Sequence, residues 1–259
     1  MTATLKSHSH GGTLVLTIHN PEQRNALTPE IYVAGIEALI AAERNAEVRS
    51  VILTGDGGTF CADGNLQRLL ANRQQPPEVQ ADSIEALHSW IEAIRSFPKP
   101  VIAAVEGTCA GAGFSLALAC DLLVAARDAV FVMAYVNVAL SPDGGATWSL
   151  MRQLPRATAL QLLMLGERVG AERLHQLGLV TAVSAPGAAL ADALTLAERL
   201  NAKAPNALAS IKALANDALE QGLARQLRDE REHFVRNLHH PNAGEGIQAF
   251  LDQRAAHYR

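Results

Sequence analysis

Three short stretches of the chain carry groups suited to chemistry. Phe60-Cys-Ala-Asp-Gly-Asn65 and Gly111-Ala-Gly113 each follow a buried, strand-like run. Glycine-containing turns of this kind present backbone N–H groups at a helix N-terminus, where an anion or a developing oxyanion is stabilised. Close backbone packing is the commoner role of one such turn taken alone. Neither turn has the lysine of a phosphate-binding loop, and Gly111-Ala-Gly113 lacks the third glycine of a dinucleotide site. The third stretch, Leu140-Ser-Pro-Asp-Gly-Gly145, presents Asp143 just before an apolar helix. There a carboxyl reads as a general acid/base beside an apolar pocket, or Ser141 or Asp143 simply caps the helix. His88 falls in a helix, packed or at the surface. His8 and His10 read as part of a flexible tail, and His239-His240 as a solvated helix end.

These groups need elements to hold them, and the first half of the chain alternates strand-like and helix-like pieces. Thr13–Ile18 alternates and is rich in β-branched residues, which predicts a half-buried strand. Thr28 followed by Pro29 opens a helix to about Arg44. Apolar runs at Ser50–Thr54, Val101–Val105, Leu122–Val124 and Val130–Val132 predict further strands, with a short one near Val180–Val183. Residues 72–79, with Gln74, Gln75, Pro76 and Pro77, predict a mobile surface loop, and Asp82–Ser96 a helix closed by Pro98 and Pro100. From about Ala146 the period is helical nearly to the end. The expectation is an α/β body with a helical C-terminal third: a tail over 1–12, a core over 13–190 and a helical region over 191–259.

Composition narrows the partners. The 259 residues are 49% hydrophobic, enough to bury a core without disulfide or metal staples. The formal charge of −4 lacks the basic excess on which nucleic-acid affinity rests. Three cysteines, Cys61, Cys109 and Cys120, lie in apolar surroundings and read as reduced thiols, which points to the cytoplasm. The longest apolar stretch, Leu116–Ala126, contains Asp121 and is too short to span a bilayer. No metal, nucleotide or flavin is called for.

The order of the motifs is more informative than any one of them. It runs from Asn20-Pro-Glu-Gln-Arg-Asn-Ala-Leu27 to Phe60–Leu66 and Pro98-Lys-Pro-Val-Ile-Ala-Ala-Val-Glu-Gly107, then to Ala110-Gly-Ala-Gly-Phe-Ser-Leu-Ala-Leu-Ala-Cys-Asp121 and Pro142-Asp-Gly-Gly145. The series resembles the crotonase (enoyl-CoA hydratase/isomerase) superfamily from about residue 13 to residue 254. Within it, Ala125–Met133 and Pro142–Trp148 look most like the 1,2-epoxyphenylacetyl-CoA isomerases and alternative-type oxepin-CoA hydrolases of phenylacetate-type catabolism. The resemblance implies a ββα superhelix with a C-terminal helical trimerisation region, assembled as a homotrimer or a dimer of trimers. It implies an acyl-CoA thioester substrate, with coenzyme A entering only as part of that substrate, and an enolate held by two backbone N–H groups. By position those belong to Ala62 and Ala112. Arg24, Ala26, Ala62, Asp63, Gly64, Phe250 and Arg254 fall where the family contacts CoA. The stretch from Arg68 to Val79 and the helix carrying His88 shape the acyl pocket.

The departures from the family pattern decide the chemistry. The two glutamates that hydratases of this kind use are replaced by Ser115 and Tyr135, neither of which ionises near neutral pH. Asp143 is the carboxylate that remains, and a lone carboxylate suits a proton shuttle between two carbons of an enolisable thioester. The leading expectation is therefore an isomerase with Asp143 as acid/base. A weak hydratase, a hydrolytic dehalogenase-like enzyme using Asp143 and His88, and a non-catalytic acyl-CoA binder are the alternatives. Asp63 stands where the family usually has glycine, and a carboxylate about 6 Å from an enolate oxygen opposes it by roughly 3 kcal/mol unless it points away to solvent, pairs with a cation or is protonated.

Overall fold

A computed structural model describes residues 3–259 of the chain. The β-branched run at Thr13 forms β2 (Thr13–His19), with Val15, Leu16 and Ile18 buried. The chain before it is not a flexible tail. Thr4–His10 forms β1, antiparallel to β2 with Thr4 opposite His19 and His10 opposite Thr13, so His8 and His10 sit in a strand. Apart from Leu5, its side chains are polar and exposed, as an edge strand allows, and so lack the apolar alternation that marks a half-buried strand. The turn between the strands is Gly11-Gly12, with Gly11 at φ 54°.

Pro29 opens α1 (Pro29–Arg44), which packs on β1, β2 and α3 (Pro77–Ser96); β3 (Ser50–Gly55) and α2 (Leu66–Asn72) come between α1 and α3 in sequence. Helix α3 starts five residues before the predicted Asp82, and α2 ends at Asn72, so the expected loop over 72–79 shrinks to residues 73–76. Pro77 occupies the first helical turn, where a missing N–H costs nothing, and Asn65 caps α2 by accepting the Arg68 N–H at 3.0 Å.

Two ββα turns follow. The first is β4 (Val101–Val105), β5 (Thr108–Ala110) and α4 (Ala112–Ala119). The second is β6 (Leu122–Ala126) and β7 (Val130–Val132), leading to α5 (Ala146–Gln153). Then come α6 (Arg156–Leu165), β8 (Val169–Gly170), α7 (Ala171–Gln176) and β9 (Ala182–Ser184). The larger sheet runs β1-β2-β3-β4-β6-β9, parallel throughout except for β1, and its central strands are buried apolar runs as parallel sheets require. The smaller sheet runs β5-β7-β8. Cys61 extends it by a parallel bridge to Cys109, so the segment after β3 lies alongside β5.

Helix α8 (Ala189–Asn201) buries Ala189, Ala193 and Ala197, and these small residues let it pack directly on the larger sheet. The core therefore extends to Asn201 and does not end at residue 190. Beyond it, α9 (Pro205–Asp217), α10 (Leu223–Leu238) and α11 (Pro241–Leu251) form the helical end. Lys212 of α9 clamps that end to the core, donating to the Ile94 carbonyl at 2.9 Å and to Asp121 Oδ2 at 2.8 Å, while Asp121 also accepts the Val101 N–H. The Asp121 side chain is 27% exposed and also feels the Arg95 charge, so removing Lys212 leaves it only partly uncompensated. Lys212→Met should lower stability by about 1–2 kcal/mol in urea denaturation at fixed protein concentration. An unchanged midpoint would show that the pair merely breaks even.

Candidate active site

The C-terminal ends of the smaller sheet's parallel strands and the start of α4 converge on one place. Gly111, at φ 46°, turns the chain from β5 into α4 and leaves the Ala112 N–H at the helix start without an intrahelical acceptor. A Cβ on Gly113 would come within 2.6 Å of the Cys61 Cβ, so glycine there lets the Cys61–Gly64 segment press against α4. Asp63 on that segment adopts φ 98°. Its Oδ1 accepts the Gly64 N–H at 2.7 Å and the Ala112 N–H at 2.9 Å. Two backbone donors thus meet on one oxygen. Of the outcomes expected for Asp63, the solvent-facing one does not hold: its carboxyl points at the donors. Its pKa is raised, by burial first and by the Asp143 charge in addition, against the pull of the two N–H groups.

The donor pair differs from the expected one. The Ala62 N–H is consumed by the Arg24 carbonyl at 3.0 Å, so it cannot face a ligand; Gly64 takes its place. Cys61 beside them is buried, its Sγ–H directed at the Asp63 carbonyl at 3.7 Å and its pKa pushed up to about 12 by burial. It is a packing thiol, not a nucleophile.

Asp143 faces this pair across a cavity of about 350 Å³, which also admits Tyr32, Tyr135 and Arg68 and has Leu66, Leu69, Ile84, Leu87 and His88 in its walls. The Tyr135 hydroxyl donates to Asp143 Oδ1 at 2.6 Å. Burial first, then the Asp143 charge, raises the Tyr135 pKa well above that of an ordinary phenol, so it remains a neutral donor. The Ser115 hydroxyl donates to the Asp143 carbonyl at 3.0 Å and lies 3.3 Å from the Tyr135 oxygen. The cap of α5 is Gly145, with no side-chain capping bond, so Asp143 is not a helix cap. His88 accepts the Gly144 N–H on Nε2 at 3.3 Å, meeting the backbone beside Asp143.

Asp63, Gly64, Ala112, Tyr135, Asp143 and His88 are thus brought together with Ser115 behind them. Arg24, exposed, and Ala26, buried, belong to the turn that runs beside the Ala62–Gly64 segment but do not line the cavity. Phe250 is 83% exposed, and Arg254 is held by Glu245 at 2.7 and 2.9 Å; neither lines the cavity. Sequence reasoning missed Tyr32, a buried residue of α1 whose pKa is raised to about 12 by burial, with the Arg68 charge opposing. Its one signal was a hydroxyl on an otherwise apolar helix face. A second cavity, about 390 Å³, lies under α9 between Arg95, Trp148 and Lys212. Its only carboxylate is Asp121, already held by Lys212, so it offers no proton acceptor.

Two donors aimed at one oxygen, opposite a single oriented carboxylate in an apolar cavity, suit an enzyme that stabilises an enolate. Residues 8–259 match the enoyl-CoA hydratase/isomerase family model, and the chain belongs to that family. It is 35% identical over 253 residues to the 1,2-epoxyphenylacetyl-CoA isomerase of Escherichia coli K12, with 97% of each chain covered. It is 30% identical to the 2,3-dehydroadipyl-CoA hydratase of the same organism, covering 95% of this chain and 94% of that one. An enoyl-CoA hydratase from Polaromonas sp. JS666 superposes with a TM-score of 0.98 at 66% identity, over 99% of this chain and 100% of that one.

The Tyr135–Asp143 contact carries a direct expectation. Tyr135→Phe removes a hydrogen bond to a carboxylate worth about 1.5–3 kcal/mol and frees Asp143 to rotate, so kcat should fall on the order of 10–100-fold with KM little changed. Steady-state kinetics on any processed acyl-CoA would show it; an unchanged kcat would mean Asp143 is held by its backbone alone.

Proposed function

We propose that the protein is an acyl-CoA isomerase that moves a proton through a thioester enolate, with Asp143 as acid/base. One observation carries this reading: Asp143, oriented by Tyr135, is the carboxylate opposite the Gly64 and Ala112 N–H groups, and the side chains at 115 and 135 beside it are hydroxyls, not carboxylates. The thioester oxygen accepts from the two N–H groups, which lowers the cost of removing a neighbouring carbon-bound proton. Asp143 takes that proton from one carbon and returns it to another. Each donor of such a hole is typically worth about 2.7–4 kcal/mol in the transition state. The apolar walls of the cavity fit an aromatic or unsaturated acyl group, and the E. coli isomerase relative points the same way.

A hydratase is the second reading, because a water held between Asp143 and Tyr135 has a base and a neutral partner, and several relatives carry that name. Incubating a β,γ-unsaturated acyl-CoA in deuterated water separates the two. A conjugated product with deuterium and no added water supports the isomerase; a product heavier by one water supports the hydratase. Asp143→Asn, with its fold verified by circular dichroism, should lose at least about 10³-fold of turnover, in the range of a general acid/base group. Near-normal turnover would sink the assignment.

We also propose a homotrimer or a dimer of trimers. Helices α10 and α11 expose Leu223, Leu227, Phe234, Phe250 and Leu251, an apolar display larger than single scattered residues explain. Light scattering should give three or six times the 27.5 kDa chain mass. A monomer would remove the proposal.

A further inference from the structure

We infer that the Asp63 side chain is a resident ligand of the oxyanion hole, and that an acyl-CoA thioester must displace it before the hole can act. The inference rests on the reading above, in which Gly64 and Ala112 are the hole, and adds that the hole is already filled. Asp63 Oδ1 lies 2.7 Å from one donor and 2.9 Å from the other, as a bound carbonyl oxygen would. A Cβ on Gly111 would overlap the Asp63 carboxyl group, so the turn before α4 is shaped to accept it. Asp63 holds this position at φ 98°, where a residue with a side chain is strained and glycine is not.

A carboxylate is the stronger competitor for these donors. Hydrogen bonds to an ionised acceptor are roughly twice as strong as those to a neutral carbonyl. The thioester oxygen therefore cannot win on its own contacts; binding energy from the rest of the acyl-CoA must drive the exchange. Once expelled, the carboxyl cannot approach Asp143, which lines the same cavity with like charge. Arg68 lines it too, and its Nε and Nη1 are buried without a hydrogen-bond partner, making it the cation available to the displaced group. Assembly of a working hole thus becomes conditional on a ligand that engages the site as a whole.

Calorimetry with butyryl-CoA and with its thioether analogue S-butyl-CoA tests this without turnover. The thioester needs the hole; the thioether, lacking the carbonyl, does not. Asp63→Gly suits the positive φ and empties the hole, so it should tighten butyryl-CoA roughly tenfold or more and leave S-butyl-CoA unchanged. Asp63→Asn, which keeps the acceptor and drops the charge, should fall between the wild type and Asp63→Gly for the thioester. Equal changes for both ligands, or no change for either, would overturn the inference while leaving the isomerase reading intact. Failure of every protein to bind either ligand would remove both.

Discussion

Two backbone N–H groups that must point at the same spot are the constraint on which the site depends. The Ala112 N–H is there because a helix start leaves its first donors without partners. The Gly64 N–H reaches the same spot only because the Cys61–Gly64 segment runs alongside β5 and presses against Gly113. Such donors are what enolate chemistry requires and what a folded protein avoids, since an unmet buried donor costs about 1–3 kcal/mol. In the free protein Asp63 meets both. The strain at φ 98° and the burial of a carboxyl are offset by satisfying two groups that would otherwise be orphaned.

The opposite wall follows the same logic with a different residue. Asp143 is half-buried and is held in place by the Tyr135 hydroxyl on its carboxylate while Ser115 grips its carbonyl. A Cβ on Gly144 would fall 2.8 Å from the Ser115 Cβ, so the loop over 141–145 rests directly on this serine. A longer acidic side chain at residue 115 would lift the loop away and bring a second negative charge against Asp143. Ser115 and Asp143 are therefore parts of one arrangement, in which the short side chain at 115 lets the loop bring Asp143 to the cavity.

What was legible in the chain divides along physical lines. Buried parallel strands declare themselves as apolar runs, so β3, β4, β6 and β7 were readable, as was the glycine turn before α4. The edge strand β1 was not, because its side chains answer to solvent; only Gly11-Gly12 announced the hairpin. The order of motifs pointed to the Cys61–Gly64 segment for the first donor, but not to which of its successive N–H groups faces inward. That depends on the Arg24 carbonyl, delivered by a turn distant in sequence where Arg24 itself sits at φ 50°. Likewise the sequence shows an aspartate directly before Gly64, whereas the direction of its carboxyl is set by dihedral angles that only the assembled fold determines.

Charge accounting links the two walls. In the resting site one carboxylate oxygen sits on the Gly64 and Ala112 donors and another carboxylate sits on Tyr135. At the enolate stage of the proposed reaction Asp143 has taken a proton and is neutral, and the negative oxygen on the two donors is the substrate's. The hole thus holds an anionic oxygen both at rest and at the intermediate; what changes is whose oxygen it is. The one charge without a berth at the intermediate is the displaced Asp63, and at an effective dielectric near 20 it would oppose an enolate oxygen about 6 Å away by roughly 3 kcal/mol. That repulsion is as large as one hole donor contributes. How far Asp63 withdraws, and whether Arg68 receives it, therefore sets the rate as strongly as the donors themselves.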